Sequence, residues 1–148
     1  MGQKQLAFAV AALGMLGAAA VTAQDIYKER ETLMKGFGEQ MGVVKGVVAE
    51  NKGTLADATA AAQAIVANAP KIPSIFPEGT NAGESEALPV IWQQWPEFEA
   101  KATNMGELAA KLEQAAASGD EAATLAAFGA LGKDGCGGCH ETFRKKKS

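Results

Sequence analysis

Apolar positions recur at three- and four-residue steps along four stretches, with no run of strand-like alternation. In the first stretch, from about 25 to 51, Ile26, Arg30, Leu33, Phe37, Met41, Val44 and Val48 mark one face of an amphipathic helix. Asn51-Lys52-Gly53 supplies a glycine stop. Gly38, Gly42 and Gly46 share one face of this helix, and that pattern predicts close approach by another helix or a flat ligand. The second helix spans about 54 to 69, with Thr54 and Asp57 as a capping box and Leu55, Ala58, Ala62, Ile65 and Val66 as its stripe. Pro70 and Pro73 stop it. A third helix starts near Pro96 and runs to 117, with Phe98, Ala102, Met105, Ala109, Leu112 and Ala116 facing inward. Ser118-Gly119 breaks the chain, and Asp120 caps a fourth helix carrying Leu125, Phe128, Leu131, Cys136, Cys139 and Phe143. Residues 70–89 read as an irregular connection into which Ile72 and Phe76 tuck as core residues. The connection ends in one apolar turn around Trp92; Trp92 and Trp95 read as packing residues or as contacts to a ligand edge.

Four amphipathic helices joined by mostly short links, with no strand signal, predict an all-α fold, an antiparallel four-helix bundle. In up-down-up-down order the start of the first helix lies beside the end of the fourth. That topology brings Arg30, Leu33, Met34 and Phe37 toward Cys136-Gly137-Gly138-Cys139-His140.

This C-terminal motif holds the only two cysteines and the only histidine of the chain. Cys-x-x-Cys-His is the pattern of covalent c-type haem attachment. Positions i and i+3 share a helix face, so both thiols can form thioethers to one porphyrin. His140 then stands beside the anchored ring as a proximal iron ligand. A thioredoxin-like pair needs a βαβ context that the sequence lacks, and structural zinc needs four ligands where three Cys and His residues exist. An ordinary disulfide is the remaining alternative. No methionine follows His140, so a sixth ligand has to come from upstream.

The first 23 residues change the picture of where the chain works. Lys4 precedes an apolar run from 6 to 20, and Val21-Thr22-Ala23 offers small residues before a polar start. This reads as a cleaved secretory signal, with residues 24–148 as one domain; a retained membrane anchor is the alternative. Removing it takes away Lys4 and no acid, so the net charge of −3 becomes −4. A mildly acidic mature domain does not point to nucleic acid, and with the signal gone it has no membrane segment. Arg144-Lys145-Lys146-Lys147 is a local cationic run, read as a solvated helix end or as a docking patch for an acidic redox partner.

Cys136-x-x-Cys139-His140-x-x-Phe143-Arg144, Arg30-x-x-x-Met34 in the first helix, and Phe76-Pro-Glu-Gly with Pro-Val-Ile-Trp92 in the connection together resemble the class II cytochromes c. These are the cytochrome c-prime proteins and their low-spin, methionine-ligated relatives. The resemblance covers essentially all of residues 24–148. It implies one haem c attached through Cys136 and Cys139, with His140 as proximal ligand and Met34 on the distal face. It also implies Arg30 near a haem propionate, Arg144 near the proximal imidazole, and pairing of two chains through helices 1 and 2. Two functions follow from it. Met34 bound to iron makes a periplasmic electron carrier; Met34 as an apolar lid over open iron makes a high-spin protein that binds NO or CO. A third class is a helical interaction protein whose cysteine pair is incidental. An enzyme is not expected, because no acid–base pair or second histidine is available near the haem.

Overall fold

Three capped helix starts and two left-handed turns set the frame. In this computed structural model, which describes residues 22–80 and 85–146, α1 runs Ala23–Glu50. The expected signal segment therefore lies almost wholly outside the described residues. The Thr22 hydroxyl accepts from the Asp25 backbone N–H, and the Asp25 carboxylate accepts from the Thr22 N–H, a capping box the sequence reading did not include. α1 ends at Asn51, which takes the left-handed conformation at φ 53°, and Gly53 follows at φ 90°. α2 is Leu55–Asn68, and Thr54 and Asp57 form the expected capping box. Two 3₁₀ turns, Ala69–Lys71 and Pro73–Ile75, carry the chain away, and α3 is the single turn Val90–Gln93. α4 is Trp95–Ala117. Gly119 turns the chain at φ 80°, and the Asp120 carboxylate accepts from the Ala123 N–H to start α5, Glu121–Ala130.

The long helices close a ring of contacts, α1 on α2, α2 on α4, α4 on α5 and α5 on α1, which is the four-helix bundle. All six expected inward positions of α4 are buried. Ile72 and Phe76 are buried as well, at 3% and 7% exposed. Fully buried Ile65, Ile91, Leu112 and Leu131 each contribute roughly 1.5–3 kcal/mol by removal from water. Among the described residues, no helix is long and apolar enough to cross a membrane.

Three expectations need correction. The fourth helix is not continuous: α5 passes into a π-helical stretch, Leu131–Gly137, and then α6, Gly138–Phe143. The fully buried residue of α5 is Thr124, its hydroxyl donating to the Asp120 carbonyl; Phe128 packs on the core as expected, while Leu125 is 49% exposed. Among the described residues the glycine face of α1 meets no neighbouring helix, since a Cβ at Gly38 or Gly42 has nothing within 4 Å and one at Gly46 would meet only Lys52, its carbonyl at 3.5 Å; of the expected helix or flat ligand only the ligand stays open, with Gly38 lining a cleft.

Candidate haem site

The π-helical stretch and α6 carry Cys136, Cys139 and His140 along one wall of a cleft of about 650 Å³. The opposite wall is α1, contributing Arg30, Met34, Phe37, Gly38 and Met41. Ile91, Phe98 and Met105 form its floor. Phe98 anchors that floor, with ring centroids 5.0 Å from Phe76, 5.4 Å from Trp95 and 5.3 Å from Phe143. The cleft thus brings together Cys136, Cys139, His140, Arg30, Met34, Phe37 and Arg144. Leu33 packs on the core without lining the cleft. Trp92 and Trp95 take packing roles; the Trp92 Nε1 donates to the Phe76 carbonyl at 2.9 Å.

Gly135 is buried within the π turn. A Cβ at Gly135 would lie 2.9 Å from Leu131 Cδ1 in the same π stretch, so Leu131 would have to shift, while Leu108 Cδ1 and Met105 Cα of α4 would be in ordinary contact at 3.5 and 3.6 Å. π turns of this kind commonly sit at functional sites. Both thiols are free and half-buried, and burial pushes each above the ordinary thiol range; Lys101 opposes this at Cys139. His140 keeps part of its surface open, yet desolvation lowers its proton affinity; Arg144 lowers it further and Glu86 opposes. A neutral imidazole is the form that binds a metal.

Arg30 is 5% exposed. Its Nε donates to the Ile75 carbonyl at 2.6 Å and its Nη1 to the Thr80 carbonyl at 2.7 Å, while Nη2 reaches the Thr80 hydroxyl. The guanidinium lies over Phe76, 4.3 Å from the ring centroid. The proximal end is closed by a strap the sequence did not announce. Ala87 and Arg144 form an isolated antiparallel bridge, the Leu88 N–H donates to the Phe143 carbonyl at 2.9 Å, and the Lys145 N–H to the Glu86 carbonyl at 2.8 Å. Lys145 Nζ also donates to the Ser85 carbonyl at 3.0 Å, so this lysine of the cationic run is engaged in the strap.

Paired free thiols and an imidazole on one wall of a largely apolar cleft fit a flat apolar ring held at its edge. The family model described as Cytochrome C' matches residues 25–144. The chain belongs to the cytochrome c' family. It is 39% identical over 121 residues to cytochrome c-556 of Agrobacterium tumefaciens strain II Chrys, covering 81% of this chain and 97% of that one. It is 38% identical over 117 residues to cytochrome c' of Pararhodospirillum photometricum, covering 78% and 93%. The nitric oxide complex of a variant cytochrome c prime from Alcaligenes xylosoxidans superposes with a TM-score of 0.77 at 28% identity, covering 86% of this chain and 99% of that one. As in this family of electron-carrying haem proteins, the cofactor is a covalent haem c, for which Cys136 and Cys139 are the two thiols of the chain.

Proposed function

We propose that this chain is an exported, periplasmic electron carrier in which His140 binds the haem iron on one face and Met34 on the other. The observation that carries the reading is the placement of Met34 on the α1 wall, across one cleft from Cys139 and His140. Two other methionines line the cleft: Met105, which is buried on α4, and Met41, which like Met34 is partly buried against the core but stands seven residues further along α1. Met41 Cε sits 3.7 Å from where a Gly132 Cβ would be, and Met105 is 5% exposed where α4 meets Gly135. Bound haem supplies one-electron exchange at iron, and a thioether opposite imidazole raises its potential. Phe37 gives the ring an apolar face. Arg30 is a buried cation whose hydrogen-bond partners among the described residues are all neutral, so an anionic propionate near it would offset its charge. Arg144 stands on the proximal side. The chain binds its cofactor and passes electrons to redox partner proteins; it is a carrier and not a catalyst.

A second reading has support in the likeness to a nitric oxide complex. There Met34 is an apolar lid, the iron is open and NO or CO binds. Pairing of two chains is compatible with either reading. Replacing Met34 with Leu separates the two, because Leu keeps volume and apolarity while removing sulfur. The carrier reading predicts a change from low-spin to high-spin absorption, faster CO binding and a lower potential. A wild type already high-spin, with a spectrum indifferent to Met34→Leu, moves the assignment to the gas binder.

A further inference from the structure

The segment 85–88 reaches the proximal side with a charge as well as a backbone. Glu86 Oε2 accepts a hydrogen bond from Arg144 Nε at 2.6 Å, and Arg144 Nη2 pairs with the same oxygen. The Ala87–Arg144 bridge and the hydrogen bonds on either side of it fix both backbones. Arg144 is four residues beyond His140, and Glu86, Arg144 and His140 all line the cleft. After burial, Arg144 and Glu86 are the groups that act on the imidazole, and they act with opposite sign. The imidazole therefore faces a cation with its counter-charge attached and not a lone cation.

We propose that Glu86 is a positioning residue for the proximal side of the haem: its carboxylate holds the Arg144 guanidinium beside His140 and offsets its charge there. The inference rests on His140 being the proximal ligand, as in the function proposed above. Its consequence is electrostatic. Ferric haem carries one more positive charge than ferrous, so a cation released from its counter-charge favours the ferrous form. The side chains of Arg144 and Glu86 are 32% and 48% exposed, so as an ion pair they add little to folding stability. The effect belongs to the haem and its imidazole.

The test uses the haem-loaded protein labelled with [15N]histidine, which reports one residue because His140 is the only histidine. Glu86→Gln, Arg144→Gln and the double variant are compared by midpoint potential, by 15N hyperfine coupling in the ferric state and by thermal unfolding. Glu86→Gln is expected to raise the ferrous-to-ferric ratio at fixed potential about threefold, a screened half-exposed charge effect, and to change the 15N coupling. In the Arg144→Gln background the same substitution is expected to leave the coupling unchanged and to shift the potential less. Unchanged potential and coupling with a lowered unfolding temperature would reduce Glu86 to a strap residue and overturn the proposal. Equal changes in both backgrounds would also overturn it, because Glu86 would then act without Arg144. Absence of any 15N coupling in the wild type would overturn the His140 assignment itself, and the inference with it.

Discussion

Arg30 shows how much one side chain can hold. Its three donor nitrogens serve the Ile75 and Thr80 carbonyls and the Thr80 hydroxyl, and its plane covers Phe76. Arg30→Met keeps much of the apolar stem and strands those acceptors. Each unsatisfied buried group costs about 1–3 kcal/mol, so denaturant unfolding should show a loss of about 2–4 kcal/mol. A loss under about 0.5 kcal/mol, as at an ordinary surface site, would contradict this account of Arg30. Arg30 was visible in the sequence because it falls on the inward stripe of the first helix and matches the Arg-x-x-x-Met pattern of the family resemblance. Cys136, Cys139 and His140 were visible because their spacing is itself the chemistry. Glu86 was not, since its partner lies 58 residues away and an ion pair across that distance leaves no local pattern.

At the scale of elements, legibility followed how much phase each stretch carries. α4 holds large apolar residues at every inward position, and all six expected positions are buried. The stretch from Glu121 to Gly137 is rich in alanine and glycine, which look alike from either side of a helix. A 3.6-residue reading of it could neither detect the extra residue of a π turn nor choose between Thr124 and Leu125. The glycines here divide by what surrounds them. Gly135→Ala forces a Cβ against Leu131, which is fully buried and has to shift, so it should cost about 1–3 kcal/mol by denaturant unfolding, as overpacking does. Gly129→Ala in α5 meets nothing within 4 Å and should stabilise by roughly 0.5–1 kcal/mol. The reverse order of the two would contradict this account of their surroundings.

For the whole molecule, the four-helix topology was legible because four amphipathic stripes need one shared core and two of the three links, at 51–54 and 118–120, are short; the third, from 69 to 94, is long. The strap at 85–88 was not, because its hydrogen bonds run between backbones. The N-terminus bears on where the protein works. Cleavage after Ala23 would remove the Thr22 cap and start the mature chain inside the first turn of α1. N-terminal sequencing of periplasmic protein should therefore begin at or within a few residues of Gln24, whereas membrane-bound protein retaining Met1 would contradict export with cleavage. The central claim is a single haem between the His140 wall and Met34. It is tested most directly by the absorption spectrum of the purified wild type in the ferric and ferrous states. The account predicts low-spin bands in both states and a sulfur-to-iron charge-transfer band in the ferric far red. A high-spin ferric spectrum without that band would contradict it.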